Sequence, residues 1–582
     1  MDTKTSLASL PSCSKLHFVV EFTNQKMIND TQQKLKIALI VDSNISSKYV
    51  YELACWAQNQ INLEITSLII QKTWLSSSGK FKRGIESLRK KGISVLLDQI
   101  GYTFLVKLES LLLKRNKTHK DHFNQYDLSN YVNENIDVEP IISKSGFVYR
   151  YSDNDVQKIK QKNFDVLIRC GSGILRGDIL TTAKYGIISF HHADNKINRG
   201  GPPGFWEVFN REDSTGFTIQ QLTDELDGGN VLYQGCFATK FYYLLNQANL
   251  HNKANFYMKK ILSDLAETKS LPQKLNSFPY YNQLYKRPTL LYQSIYGYKL
   301  TALIIGKIFR KYLLKRSYRW GVAFGFTNWR NLVMWKAIKI ENPANHFLAD
   351  PFVINHNGKS YCFVEDYDYT SSRGSISLYE LNETKATRYG EIISEPFHMS
   401  YPFVFEYQSK FYMVPETCEN KDVRLYESEE FPYKWKFLKT ILKGIDAADT
   451  TIFEKDGLWW LFTNIDPVNS GDHGAELFIF YSDNPLSEKW TSHPKNPVLC
   501  DSNKARMGGI LFDKNSLYRV SQKQGFDMYG KASIINKVTH LSTTDYSEEL
   551  EFTIKPNFFN HLEGTHHIHG NDNVTVFDFL KK

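Results

Sequence analysis

Cysteine is scarce and scattered in this chain. The 582 residues hold seven (Cys13, Cys55, Cys170, Cys236, Cys362, Cys418, Cys500) and no CxxC pair, which excludes a zinc ribbon, a thioredoxin-type motif and a dense disulfide framework. They read as reduced, mostly buried thiols of a cytoplasmic protein. No uncharged apolar run reaches about 18 residues, so no spanning helix is expected. Residues 1–33 mix acids and bases around one short apolar patch, Leu16–Phe22, and read as an N-terminal extension, not a secretory signal. A phosphate-binding P-loop and a zinc-ligand spacing are also missing. What is present is 42% apolar residues over a length that predicts two or more packed domains.

Charge divides the chain. Residues 1–318 carry 43 Lys and Arg against 27 Asp and Glu, whereas residues 319–582 carry 28 against 35. Much of the excess lies in Lys286–Arg319, with nine cations and no acid. The front half therefore favours anionic partners and the back half does not. Within the basic stretch, Ser294–Tyr318 combines a broad apolar side with flanking cations. A helix of that kind lies on an anionic membrane surface or packs as an ordinary connecting helix.

The front half alternates aliphatic strands and helices. Lys34–Asn44, Leu63–Ile70, Asp165–Cys170 and Tyr185–Phe190 are continuous apolar runs of the kind buried parallel strands show. Ser47–Ile61 and Gly79–Lys91 read as helices, and 113–160 as a polar excursion from the sheet. Such α/β sheets bind ligands beyond the carboxyl ends of their strands. His191 falls there, and an Asp in a Leu-Asp-Gly-Gly turn follows at Asp227; a His and a carboxylate that share a proton do acid–base work near neutral pH. Taken alone, a His after a strand is an ordinary core or surface residue, and Gly171-Ser172-Gly173 or the Arg199-Gly200 loop is an ordinary turn.

Their conjunction resembles the formyltetrahydrofolate-dependent formyltransferases, whose signature runs Asn-x-His, an Arg-Gly loop, Gly-x-Thr and Leu-Asp-x-Gly. This chain has Ser189-Phe190-His191, Arg199-Gly200, Gly216-Phe217-Thr218 and Leu226-Asp227-Gly228-Gly229 in that order, with Ser where the family has Asn. The resemblance implies Ser189 as oxyanion donor, His191 as base and acid, and Asp227 as orienting carboxylate. Gly171, Ser172, Gly173 and Ile174, with Leu222 and Asp224, would line the slot for N10-formyltetrahydrofolate. His192, Arg199 and Gly200 would meet the acceptor.

From Trp320 the texture changes to short aromatic and β-branched runs. YCFVEDYD (361–368), KFYMVPET (410–417), LWWLFTNID (458–466) and SLYRVSQK (516–523) each follow a strand and a polar turn, at roughly 50-residue spacing. This pattern predicts a five-bladed β-propeller, with Asn573–Phe579 closing against the first strand; a β-sandwich is the competing architecture. The segment also resembles the glycosidase-like propeller at the front of plant glucosamine inositolphosphorylceramide transferases, through His346–Phe352, Pro415–Thr417, Phe431–Trp435, Asp449–Trp460, His493–Val498, Arg506–Gly509 and Gly564–His567. By that resemblance Asp350, Glu416 and Asp449 point to the central channel and Arg506 supplies an anion contact. Glycan binding, hydrolysis and a structural role all remain open for them. His566 and His567 are adjacent, so on a strand they face opposite sides, and no metal site is expected.

The whole reads as an α/β, Rossmann-like formyltransferase domain (34–235), a helical basic connecting region (236–319) and an all-β propeller (320–582). The expected activity is formyl transfer from N10-formyltetrahydrofolate to an amino sugar in surface-polysaccharide biosynthesis, with a nucleotide-linked acceptor expected because a basic front half suits a pyrophosphate. An acidic propeller makes nucleic acid a poor partner. The alternatives are an inactive glycan-binding or scaffold protein of the same pathway and a propeller-based glycosidase or glycosyltransferase accessory. The expected location is cytoplasmic, with peripheral membrane contact through 294–318.

Overall fold

The computed structural model describes residues 33–73, 93–194, 196, 198–224, 229–276, 281–309 and 319–581. The chain forms two compact units. One takes the described residues up to Gly235 together with Lys240–Ile304; the other takes Cys236–Thr239 and the chain from Ile305 onward. The helix expected over Gly79–Lys91 lies outside the described residues.

The first unit is built on a seven-stranded sheet. Its strands are β1 (Leu35–Val41), β2 (Leu63–Gln71), β3 (Glu134–Val138), β4 (Val166–Arg169), β5 (Ile187–His191), β6 (Ser214–Gln221) and β7 (Asn230–Ala238), in the spatial order β7-β6-β5-β4-β1-β2-β3. β5, β4, β1, β2 and β3 run parallel, and β6 is antiparallel to β5. β1 is central because every residue but Lys36 can be buried on both faces. β3 corrects the reading of 113–160 as an excursion: its sequence ENIDV buries only Ile136 and Val138, the alternation of an edge strand, and pairs Glu134 with Ser67 of β2. The helices are α1 (Lys48–Ala57), α2 (Ile93–Leu112), α3 (Asp153–Lys160), α4 (Phe205–Asn210), α5 (Tyr243–Thr268) and α6 (Leu290–Ile308). α5 buries Leu250, Ala254, Met258, Ile261 and Leu265 at helical spacing and packs on α1, α4 and β6, so the stretch read as a connecting region supplies core to the first unit. Cys55 is disulfide-bonded, against the expectation of reduced thiols, while Cys170, Cys236, Cys362, Cys418 and Cys500 are free; spacing alone carries no information on which cysteines meet.

The second unit is five antiparallel sheets. Blade 1 spans His346–Ile393, blade 2 Ser400–Lys443, blade 3 Ala447–Cys500 and blade 4 Arg506–Ile554, each in simple up-and-down order. Blade 5 joins the two ends of the segment: Thr575–Lys581 pairs antiparallel with Arg319–Gly325 along its whole length, with Leu562–Gly564 and Ile568–Gly570 on the inner side. The first strands of the blades touch one another in sequence, and those of blades 1 and 5 also meet, which closes the ring. Aromatic and aliphatic residues between neighbouring blades form the core, the largest cluster running through Phe352, Phe403, Trp460 and Phe478.

One polar tie lies inside this core. Arg519, fully buried in blade 4, donates from Nε and Nη2 to Glu548 at 2.7 and 2.6 Å and from Nη2 to the Lys504 carbonyl at 2.7 Å. Arg519→Met leaves the buried Glu548 charge without its cation, only the Tyr546 hydroxyl still donating to it, and the Lys504 carbonyl without this donor; it is expected to cost about 3–5 kcal/mol in denaturant unfolding, most of it recovered by adding Glu548→Met. A single variant within experimental error of the wild type would show that the pair does not hold blade 4 together.

Candidate functional site

The site of the second unit starts from a backbone irregularity. The first strands of blades 1 to 4 each slip register at the same point, between Ala349 and Phe352, Ser400 and Phe403, Ala448 and Thr451, and Met507 and Ile510. Each slip contains a residue of positive φ: Asp350 (49°), Tyr401 (47°), Asp449 (52°) and Gly509 (121°). Such bulges re-aim a side chain, and Asp is among the residues that tolerate the left-handed region best. The residues paired opposite Ala349, Ser400 and Ala448 are Glu365, Glu416 and Asn464. The ladder thus supplies a second tier of carboxylates in blades 1 and 2.

Asp350, Glu365, Glu416 and Asp449 all line one cavity of about 540 Å³, together with Arg506, His566 and the rings of Trp320, Tyr367 and Tyr529. Arg506 Nε donates to Asp449 Oδ2 at 2.6 Å, and its Nη2 lies 3.7 Å from Glu416. The Asp449 amide donates to Glu416 at 3.1 Å, and Gln522 donates to Asp449 at 3.0 Å. His566 is held between two acids, Nε2 at 3.1 Å from Asp350 and Nδ1 at 2.8 Å from Asp578, with its ring against Trp320. His567 turns elsewhere, between Phe352 and Tyr401.

These contacts separate the proton affinities. Burial works against a charged His566, but the Asp578 charge and the contact with Asp350 prevail and raise it to about 10. Burial alone would raise the carboxyls of Asp350 and Glu416; His566 brings the first below the usual carboxylate range, and Arg506 does the same for the second. Glu365 has no such cation close by, His398 lying 3.5 Å off at the half-exposed side. Burial, then repulsion from Asp350 and Glu416, raise it well above its ordinary value. Asp449 is raised as well, burial and the Glu416 and Asp350 charges outweighing its contact with Arg506. The cavity thus sets Glu365 and Asp449, driven toward the neutral form, beside Asp350 and Glu416, held toward the ionised one, a separation of the kind that assigns acid and base roles. Asp350, His566 and Asp578 each bring a ligand atom within 4.8 Å of the other two and are the described residues able to hold a cation; a charged imidazole between the two carboxylates balances the same charge, although Asp350 Oδ1, His566 Nδ1 and Asp578 Oδ2 make no hydrogen bond of good geometry.

In the first unit, the chain reverses across the sheet between β1 and β4. There Asp42, just past β1, accepts from the Ser172 amide at 3.0 Å and from its hydroxyl at 2.6 Å, and Gln71 donates to Asp42 and to the Ser172 carbonyl. Gly173 takes φ +81° with the Tyr149 ring where a Cβ would stand. Its carbonyl accepts from Arg169 Nε at 2.8 Å, and Ile174 pairs with Val148. Ser189 is buried in β5, with Arg169 Nη1 at 3.3 Å from its hydroxyl. His191 ends β5, half-buried and opposite Thr218. His192 lies against Tyr49, Phe190 and His251; burial and the neighbouring His251 push it well below its ordinary value. Arg199-Gly200 pairs with Leu284-Tyr285, Leu222 packs on the sheet core, and Asp224 accepts from the Gly177 amide at 3.2 Å. Asp227 lies outside the described residues.

Sequence reasoning placed Asp350, Glu416, Asp449 and Arg506 around the propeller channel, and the structure brings these four to one cavity. It missed Glu365, Asp578 and the role of His566. The available signals were the acidic pair in YCFVEDYD, one residue of which must share a face with Asp350's neighbours, and an acid in the closing strand. In the first unit it missed Tyr49, His122 and His251, the last two of which lie 3.1 Å apart between ring nitrogens.

The family model described as glucosamine inositolphosphorylceramide transferase 1, N-terminal, matches residues 326–571. The protein named glucosamine inositolphosphorylceramide transferase 1 from Arabidopsis thaliana is 36% identical over 220 residues, which cover 37% of this chain and 28% of that relative. This chain thus matches little more than a quarter of the plant protein. A methionyl-tRNA formyltransferase from Bacillus subtilis (strain 168) is 25% identical over 196 residues, 32% of this chain and 58% of the relative. Among solved structures, a family 117 glycoside hydrolase from Zobellia galactanivorans aligns with a TM-score of 0.31 at 13% identity, covering 44% of this chain and 90% of that one.

These likenesses overturn one expectation. The reading of the chain as a formyltetrahydrofolate-dependent N-formyltransferase of amino sugars in surface-polysaccharide biosynthesis gives way, because the family model and the plant relatives are transferases of another kind and the formyltransferase likeness is weak and partial. A short signature in the first unit had outweighed the longer likeness of the second.

The charged state of His566 has a thermodynamic consequence. Its folded value of about 10 exceeds the ordinary 6.5, so its contribution to stability is complete below pH 6.5 and is lost as pH rises toward 10. Thermal melts across that window are expected to fall more steeply for the wild type than for His566→Gln; parallel curves would show that the ring is not held charged.

Proposed function

We propose that the second unit is a carbohydrate-active module whose central cavity binds a sugar and serves glycosyl transfer. The observation that carries this reading is a cavity walled by aromatic rings in which Glu365, driven toward its neutral form, stands beside Asp350, held toward its ionised one. Tyr367 stacks on Phe347 at 4.7 Å, and with Trp320 and Tyr529 these rings offer flat apolar faces to the C–H side of a pyranose, while the carboxylates and Arg506 accept from and donate to its hydroxyls. Breaking a glycosidic bond requires a proton for the departing oxygen and a carboxylate that supports the oxocarbenium-like carbon or activates the incoming hydroxyl. Glu365 fits the first role and Asp350 the second.

The names of the plant relatives support the transferase half of this reading and suggest an amino sugar as the group moved. An ammonium suits a cavity with more acids than cations. Glu416 and Asp449, already tied to Arg506, act as positioning groups that keep the acid side of the cavity rigid.

The test uses the full chain with glycosides and nucleotide sugars of glucosamine and its N-acetyl form, following glycosyl transfer or release. Glu365→Gln is expected to lower turnover about 10²–10⁴-fold while sugar binding, measured by calorimetry, persists. The wild-type rate should fall as pH rises through the raised value of Glu365. Unchanged turnover in Glu365→Gln, or absence of sugar binding by the wild type, would overturn the assignment.

A further inference from the structure

Two helices of the first unit leave an apolar face open. Along α2, Ile93, Leu97, Ile100, Phe104, Leu108 and Leu111 follow a helical stripe and are between 47% and 71% exposed. Along α6, Leu291 and Tyr298 lie seven residues apart and are 67% and 74% exposed. Isolated exposed apolar residues are ordinary; a contiguous stripe on neighbouring helices marks a site of interaction.

The two helices are joined through the other side of α2. The Leu290 amide, at the start of α6, donates to Asp98 at 2.6 Å, and Gln293 donates to the Asp98 carbonyl at 2.8 Å. At Gly101 a Cβ would fall against the ends of the Gln293 and Leu290 side chains, so the two helices approach closely there. Farther along, Glu109 accepts from the Tyr243 and Leu244 amides at 3.0 Å and from the Tyr296 hydroxyl at 2.6 Å. Both acids of α2 are thus spent inward, capping α6 and α5. α6 has no acid at all.

The rim of the open face is consequently basic. Lys107 on α2, Lys114, Arg115, Lys117 and Lys120 just after it, and Lys286 and Arg287 just before α6 are all exposed. A second copy of the same face would set these cations against one another, which is unfavourable. Neither helix is long and apolar enough to cross a bilayer.

We propose that α2 and α6 together form an interfacial docking face for an anionic lipid bilayer, their apolar stripes entering the headgroup–acyl boundary and their flanking Lys and Arg lying among the phosphates. The arrangement goes beyond a single basic helix at 294–318: the glycine contact at Gly101 and the two inward acids make a paired, acid-free surface.

The experiment is co-sedimentation of the full chain with vesicles of phosphatidylcholine alone and of phosphatidylcholine mixed with phosphatidylserine, at low and raised salt. Binding is expected to the mixed vesicles and to weaken with salt and without the anionic lipid. Phe104→Glu with Leu108→Glu is expected to reduce the bound fraction about tenfold or more, with melting temperature unchanged because both side chains are already exposed. Equal sedimentation of variant and wild type overturns the proposal. So does a wild type that ignores both vesicles, including one that forms a dimer disrupted by the same substitutions.

Discussion

The second unit depends on two cations placed among buried acids. Carboxylates removed from water are costly unless paired, and five of them, Asp350, Glu365, Glu416, Asp449 and Asp578, are buried here with His566 and Arg506. His566 bridges Asp350 and Asp578; Arg506 bridges Asp449 and Glu416. The acids outnumber the cations, and two of them, Glu365 and Asp449, are driven toward their neutral forms by burial and by the neighbouring carboxylates. A proton donor thus arises from an imbalance of charge and needs no special group.

The backbone makes that arrangement possible. A bulge at the same point of successive inner strands sets Asp350 and Asp449 in the left-handed region, where a bulky residue would be strained. Blade 4 uses Gly508-Gly509 instead. A Cβ on either would come 2.3 Å from a carbonyl of blade 5, the His566 and Ile568 oxygens respectively, so the two glycines let the ring close tightly enough to bring His566 to the cavity. Closure and chemistry are therefore one feature of the fold.

The first unit illustrates the limit of motif reading. Four of its five interior strands, β1, β2, β4 and β5, were legible because a strand buried on both faces reads as a continuous aliphatic run, as LKIALIV does. ENIDV escaped because an edge strand buries only alternate residues. Of the signature residues, His191 and Thr218 stand opposite each other on adjacent strands while Arg199-Gly200 pairs elsewhere with Leu284-Tyr285, and a short signature on a common sheet is weak ground for assigning a reaction. The longer likeness of residues 326–571 points to different chemistry.

Sequence alone was enough for the class of each unit and the repeat that makes blades, since both follow from local periodicity and turn chemistry; the acids Asp350, Glu416 and Asp449 were singled out only through the family resemblance. Tertiary structure decided which carboxyls are driven toward their neutral form. Asp350 and His566 stand more than 200 residues apart in the chain and 3.1 Å apart in space. Glu365 joins them through a ladder register that no composition reveals. Proton affinity follows burial and neighbouring charge, and both come into being only when the ring of blades is closed.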